Sequence, residues 1–388
     1  MKIFFYCQHV LGLGHFFRTL EICRKLDAHD VVLVTGGTRV EIPLPDHVRE
    51  KRLPTLMMDE GFKTLISGAE DQAVADIQAQ RQTVLWELFR EERPDLLIIE
   101  LYPFGRKKFR VELDPILSAV KDGRLPPCRV VCSLRDILVE KDDTAAYEQR
   151  VVNTMNAYFD ALLVHADPGW LRLDQTFGRV PDLEPPLIYT GFVAERAPRD
   201  ARWRMRTRLG LSSGQRLVIA SAGGGKVGGR LLGSVVSAMA HLPDDDLRLI
   251  VFTGPFMDDA TVDDLRRTAD PRIVVQRFTD EFLAHLAAAD LSISMAGYNT
   301  CMNILAAGVP ALVWPFAQNR EQRMRAELLA DHGALTVLGN DDLEPGGLAG
   351  LVKTALEVKP CARLTINLDG AAETAAWLET GLASKPSI

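Results

Sequence analysis

The sequence predicts an α/β protein built from two Rossmann-like domains that face each other across a cleft. Three observations predict it. Short apolar runs alternate with amphipathic segments throughout, the cycle starts afresh near Leu217, and a charged stretch containing Pro198 separates the two cycles. Strand, helix, strand in that order gives parallel sheets with helices on both faces. A chain of 388 residues also exceeds one ordinary domain.

The first cycle opens with residues 2–7 as a buried strand. The next segment sets Phe16, Leu20, Cys23 and Leu26 on one helical face, at spacings of four, three and three. Strand-like runs follow at 31–34, 96–99, 129–133 and 162–165. Residues 194–214 read as an interdomain connection. The second cycle places strands at 217–221, 249–252, 273–275, 291–294 and 311–314. Residues 371–380 form a last helix, and Gly381 suits its stop. The expected domains are 1–193, 194–368 and a C-terminal helix in 369–388 that packs back on the first domain. In open parallel sheets, ligands bind beyond the carboxyl ends of the strands, so chemistry belongs on the loops there.

Composition narrows the function. Hydrophobic residues at 47% and charged residues at 25% support two cores in a soluble chain. A net charge of -7 argues against a general nucleic-acid binder, which needs a basic footprint, and leaves room for a local basic pocket for phosphates. Six cysteines without a CxxC pair read as reduced core residues of a cytoplasmic protein. The apolar start at residues 3–7 is too short for a signal-peptide core. The best membrane candidate, 304–317, is short and carries Gly308 and Pro310. Peripheral contact with a membrane surface stays open, as does the oligomeric state.

Two glycine loops carry the chemistry. Gly12-Leu13-Gly14-His15 follows the first strand and opens the first helix, where backbone approaches a ligand closely and negative charge is favoured. A dinucleotide fingerprint needs a third glycine where Phe17 stands, and an acidic residue where the second strand gives Val34-Thr35-Gly36-Gly37. His15 has the ordinary pKa of a base that accepts a proton from an attacking hydroxyl. It equally suits capping or packing under the loop. Arg18, one turn on, either steers a phosphate or faces water. The second loop runs from Ser221 through Gly223, Gly224, Gly225 and Lys226 to Gly229. It lacks the GxxxxGK[ST] pattern, so its amides cradle an anion without being a Walker A loop.

The segment Met295-Ala296-Gly297-Tyr298-Asn299-Thr300 ends a strand and starts a helix, a further anion site. The polar run Gln318-Asn319-Arg320-Glu321-Gln322 at another helix start suits sugar hydroxyls, and for Gln318 and Glu321 ordinary capping fits as well. Asp142-Asp143 and Asp258-Asp259 read as helix caps rather than as a metal site. Glu100 and Arg106 border the cleft, orienting an acceptor, assisting His15, or pairing two loops. Arg135-Asp136 is a second acceptor-side candidate.

These residues resemble glycosyltransferase family 28. The likeness rests on the glycine cluster after residue 221, on Ala296-Gly297 through Ala306-Ala307-Gly308-Val309-Pro310-Ala311, and on Pro315-Phe316 through Gln322. In the first half it rests on residues 12–15 and 100–106. It is closer still to uncharacterised bacterial transferases with a GYNT turn, here 297–300. The resemblance implies a GT-B fold, a nucleotide diphosphate-sugar donor (a UDP-sugar first) in the second domain, and an acceptor mainly in the first. It implies inversion at the anomeric carbon with no essential metal and no cofactor. His15 then stands as the base, Gly297, Tyr298, Asn299 and Thr300 lie by the diphosphate, and Gln322 lies by the sugar. Residues 276–279, with Arg277 and Phe278, match where relatives hold the nucleobase through backbone groups. One position departs: Asn303 stands where relatives carry a glutamate for the ribose. An amide keeps the hydrogen bond and loses its charge assistance. The alternatives are a nucleotide-sugar epimerase, which turns over donor with no acceptor, and a non-catalytic nucleotide-sugar-binding subunit.

Overall fold

The computed structural model describes residues 1–9, 14–37, 39, 42–58, 64–68, 72–139, 142–224, 227–357 and 365–381. Gly12, Gly225 and Lys226 lie outside the described residues. The chain divides into two compact units, Met1–Val193 with Ile366–Ile388, and Ala194–Thr365.

Unit 1 opens with β1 (Lys2–Tyr6), α1 (Gly14–Arg24), β2 (Asp30–Thr35), β3 (Val48–Arg52) and the short antiparallel pair β4 (Leu56–Met58) and β5 (Leu65–Ser67). It continues with α2 (Val74–Glu92), β6 (Leu96–Glu100), α3 (Arg110–Lys121), β7 (Arg129–Arg135), α4 (Thr144–Tyr158), β8 (Ala161–His165) and β9 (Leu187–Tyr189). Its seven-stranded sheet has the order β3-β2-β1-β6-β7-β8-β9. All pairs in it are parallel, and Ile3 lies opposite Val31 on one side and Leu96 on the other. Strands covered on both faces need apolar side chains throughout, which is why β1, β6 and β8 are nearly continuous hydrophobic runs. The edge strand β3 reads Val-Arg-Glu-Lys-Arg instead, and Arg49 pairs with Asp30 and Glu92 at its rim.

Unit 2 contains α5 (Ala201–Arg208), β10 (Arg216–Ser221), α6 (Gly229–Ala238), β11 (Leu247–Phe252), α7 (Asp259–Thr268), β12 (Ile273–Gln276) and α8 (Phe282–Ala288). Then come β13 (Leu291–Met295), α9 (Tyr298–Ala307), β14 (Ala311–Trp314), α10 (Arg320–Asp331), β15 (Thr336–Val337) and α11 (Pro345–Glu357). The six-stranded parallel sheet has the order β12-β11-β10-β13-β14-β15. Asp143 and Asp258 act as helix caps, accepting from the Ala146 and Thr261 amides.

The final helix, α12 (Gly370–Thr380), belongs to unit 1, where Ala371 and Leu378 join the core formed by Ile3, Phe5, Leu20 and Leu33. The return to unit 1 begins at Ile366, ahead of the expected residue 369. Backbone bonding explains the shift: Asn367 N–H donates to Asp167 Oδ2 at 2.8 Å, and Phe192 N–H donates to Asn367 O at 2.8 Å. Cys7, Cys23, Cys128, Cys132 and Cys301 are free thiols, and burial pushes Cys7 up to about 12. Among the described residues no helix is long and apolar enough to cross a membrane.

Candidate active site

Parallel sheets bind ligands where the strand order reverses, because the two connections there leave in opposite directions. In unit 1 that point lies between β1 and β6. His15, in the first turn of α1, and Glu100, the last residue of β6, meet there: His15 Nδ1 is 2.7 Å from Glu100 Oε1. Glu100 is fully buried, and Arg18 Nη2 donates to the same oxygen at 2.5 Å. Among the described residues its other oxygen, Oε2, has no hydrogen-bond partner, and it lies 3.6 Å from Arg106 Nε.

Burial works to raise the Glu100 carboxyl, yet His15, Arg106 and Arg18 together hold it well below the usual carboxylate range. An ionised carboxylate only accepts, so the network assigns the proton to His15 Nδ1 and leaves a lone pair on Nε2. Burial lowers His15 to about 4, against the upward pull of Glu100 and with Arg106 and Arg18 adding to the fall. The ring keeps 18% of its side-chain surface open, enough for a hydroxyl to reach it. A neutral imidazole held in one tautomer by a carboxylate is the arrangement of a general base.

Arg18 does not face water. Its side chain is 2% exposed and bound to Glu100, because the apolar face of α1 carries it inward between Phe16 and Leu20. Arg106 is 7% exposed, at the end of a loop where Leu101 and Arg106 adopt positive φ of 68° and 56°. Behind Glu100, Ser133 and Thr190 hold the buried His165 ring at 2.7 Å and 2.8 Å. Arg135 Nε lies 3.7 Å from Asp136 Oδ1.

The switch point of unit 2 lies between β10 and β13, and both glycine turns leave from it. Gly223 has φ of +66°, and Gly228, the residue before α6, has φ of +114°. A Cβ at Gly228 would meet Ala222 Cβ at 2.7 Å, so only glycine fits. A Cβ at Gly223 would stand 3.9 Å from Thr300 Oγ1, and one at Gly297 would stand 3.8 Å from the same oxygen. The two turns therefore converge on Thr300, with Gly297, which has no side chain of its own to cap the first amides, as the N-cap of α9. Such a start holds an anion through backbone N–H groups. Tyr298 is buried, its ring 5.3 Å below the Arg325 guanidinium, while Asn299 and Asn303 are half-buried on α9.

Residues 222–364 match the family described as the glycosyltransferase family 28 C-terminal domain. The enzyme UDP-N-acetylglucosamine--N-acetylmuramyl-(pentapeptide) pyrophosphoryl-undecaprenol N-acetylglucosamine transferase of Caldanaerobacter subterraneus is 28% identical over 144 residues, 36% of this chain and 39% of its own length. The chain thus spans about two fifths of that relative. The enzyme of the same description from Synechococcus is 24% identical over 81% of this chain and 76% of its own. Among solved structures, the calicheamicin glycosyltransferase CalG4 matches with a TM-score of 0.63 at 15% identity, covering 99% of both chains. Acinetobacter baumannii MurG matches at 0.53 and 16% identity, over 97% of this chain and 94% of its own. The chain has the GT-B fold, and its second half resembles the family 28 C-terminal domain.

The remaining expected donor residues divide by what they touch in this GT-B chain. Asn319 caps α10, its side chain accepting from the Gln322 amide at 3.2 Å, and Gln322 Oε1 accepts from the Phe316 N–H at 3.1 Å. The Gln322 NH₂ stays available and Gln318 is exposed. Arg277 ties the loop after β11, donating to Met257 O at 2.7 Å and pairing with Asp259. The carbonyls of Gln276 and Arg277 accept from Thr253 and Gly254, and Phe278 is 52% exposed. Gly224 is exposed and its carbonyl accepts from Phe256 N–H at 3.0 Å. Gly14 is the first residue of α1.

Three buried charged residues escaped the sequence reading. Arg325 lies beneath the second turn, donating to Glu321 at 2.7 Å. Arg81 and Glu112, both fully buried, pair at 2.7 Å, with Tyr6 donating to Glu112. Arg81 sits at four-residue spacing within the apolar helical stripe Ile77-Arg81-Leu85-Phe89, and that spacing was the available signal. Among the described residues no three metal-ligating side chains converge.

Proposed function

We propose that the chain moves a sugar from a nucleotide diphosphate-sugar, a UDP-sugar first, to an acceptor hydroxyl, with inversion at the anomeric carbon and no essential metal. The observation that carries this reading is the 2.7 Å contact of His15 with the ionised Glu100 at the strand-order reversal of unit 1. The relatives' names specify a UDP-sugar donor, and the spinosyn rhamnosyltransferase SpnG was solved with thymidine diphosphate. Those two facts support a nucleoside diphosphate donor here and leave Asn303 as the departure at its ribose.

In this mechanism His15 Nε2 takes the proton of the acceptor hydroxyl as that oxygen attacks the anomeric carbon. Attack opposite the departing diphosphate gives inversion in a single displacement. Glu100 keeps the Nδ1 proton in place and stabilises the imidazolium as it forms. The first amides of α9 and the Gly223–Gly224 turn receive the charge that develops on the diphosphate. Donors fixed in advance toward developing charge supply the largest catalytic share in many enzymes.

A nucleotide-sugar panel incubated with cell extract and read by mass spectrometry tests the reading. The expected result is a glycosylated product plus free nucleoside diphosphate, unchanged by EDTA and of inverted configuration by NMR. Donor conversion with no acceptor present would instead identify an epimerase. Calorimetry with UDP, TDP and GDP assigns the base, and failure of all three to bind would remove the donor site.

A further inference from the structure

A cavity of about 60 Å³ opens in unit 1 among the loop after β6, the start of α3 and α4. Three cations line it (Lys107, Arg110 and Arg150) against one carboxylate, Asp114, so its lining carries three minus one, or +2. Asp114 is already engaged: the Tyr102 hydroxyl donates to it, and Arg110 Nε lies 3.3 Å away. Among the described residues Lys107 and Arg150 enter no ion pair, and Arg150 rests 5.4 Å from the centre of the Tyr147 ring. The hollow thus carries an excess of positive charge that Asp114 alone does not balance.

The walls are fixed in place. Tyr147 Oη donates to Phe104 O at 2.8 Å, which ties the loop to α4, and Gly105 N–H donates to Leu101 O at 2.7 Å. Tyr102 and Pro103 are buried. A volume of this size equals roughly two water molecules. That suits one tetrahedral oxyanion and is too small for a nucleoside.

We propose that this cavity binds a phosphate-class oxyanion, with Lys107 and Arg150 as its charged donors. Charge-assisted hydrogen bonds from a guanidinium and an ammonium are the strong ones for such a group. The site is separate from the donor turns of unit 2 and stands whether or not the transferase reading holds. Arg106, next to Lys107, reaches Glu100 at 3.6 Å, so an anion in the cavity holds the loop that also carries a cation to His15's partner. The same chemistry comes as free phosphate, as a soluble phosphomonoester, or as a phospholipid headgroup.

Calorimetric titration of the full chain with inorganic phosphate at constant ionic strength tests this. Saturable binding is expected, weakened about tenfold or more in Lys107→Ala/Arg150→Ala, as loss of bonds to charged groups requires. The thermal midpoint without phosphate serves as the folding control, and Lys107→Gln/Arg150→Gln provides a second variant that keeps packing. No binding to the wild type, or equal binding to both double variants, overturns the proposal. Glycerol phosphate and phosphatidylcholine vesicles containing phosphatidic acid then identify the source. Binding of either that disappears in the double variant supports the site and names its carrier.

Discussion

The His15–Glu100 contact separates two tasks between neighbouring side chains. Glu100 is ionised because His15, Arg106 and Arg18 outweigh its burial, and His15 is neutral because burial outweighs Glu100. His15→Ala is expected to leave nucleotide affinity unchanged in calorimetry while turnover falls about 10²- to 10⁴-fold, the range for a lost general base. Glu100→Gln removes the charge beneath the imidazolium and is expected to cut turnover as well, again without a change in nucleotide affinity. The pH dependence has a definite sign. His15 at about 4 and His165 at about 3 both lie below the ordinary 6.5, each lowered chiefly by burial. Between pH 6.5 and 4 the unfolded chain binds protons that the folded chain refuses, so stability falls as pH falls through that window. The loss is on the order of 1–2 kcal/mol for each ring by pH 5. Glu100 adds in the same direction below its ordinary 4.5, since its folded pKa is depressed. Urea midpoints at pH 7 and pH 5 check the sign, and a flat profile would contradict the buried, neutral rings. The kcat/KM profile should hold from neutral pH downward and drop as pH falls toward about 4, where His15 protonates.

Among the elements, the Arg81–Glu112 pair joins α2 to α3, and Tyr6 of β1 and Gln8 complete it, Arg81 Nη2 donating to Gln8 Oε1 at 2.8 Å. The Gln8 amide in turn donates to Val34 O at 3.3 Å, so the pair braces the end of β1. Removing one member of a buried pair costs about 3–5 kcal/mol, because the other charge stays behind without it. Arg81→Met should destabilise the chain by that amount, and adding Glu112→Leu should restore part of it. A double variant no more stable than Arg81→Met would contradict a charge-driven loss. These helices also mark where the sequence stops being legible. The central strands could be read because both faces are covered and the run is apolar throughout. Edge strand β3 could not, since its charged residues pair at the rim, and β9 and β15 are only three and two residues long. For Arg81 the one local sign of burial was its spacing within the apolar stripe Ile77-Arg81-Leu85-Phe89. The glycine turns were legible because the backbone itself needs glycine at Gly223 and Gly228. Which side chains would meet Glu100 was not, because β1 and β6 are brought together by the sheet and lie far apart in sequence.

At the scale of the whole molecule, one unit is continuous and the other is closed by a distant segment. Unit 2 runs from Ala194 to Thr365 and holds the full family 28 match. Unit 1 is completed by Ile366–Ile388, whose α12 lies against α1, the helix that carries His15. Periodicity identified α12 as a helix, but its neighbour is set by tertiary contacts that no local pattern encodes. Leu368 and Leu378 are almost fully buried there. Each buried leucine contributes about 1.5–3 kcal/mol, so the two supply roughly 3–6 kcal/mol of a typical 5–15 kcal/mol domain stability. Truncation after Thr365 is therefore expected to lower the unfolding midpoint of unit 1 by about 10–20 °C while unit 2 keeps its own. Hydrogen exchange read by mass spectrometry separates the two: peptides from α1 and β2 should lose protection, and those from β10 and β13 should not. Turnover should fall with the protection of α1, because His15 holds its place against Glu100 only while that helix stays packed. Unchanged protection in α1 after truncation would detach α12 from His15 and reduce it to a bystander on the surface of unit 1.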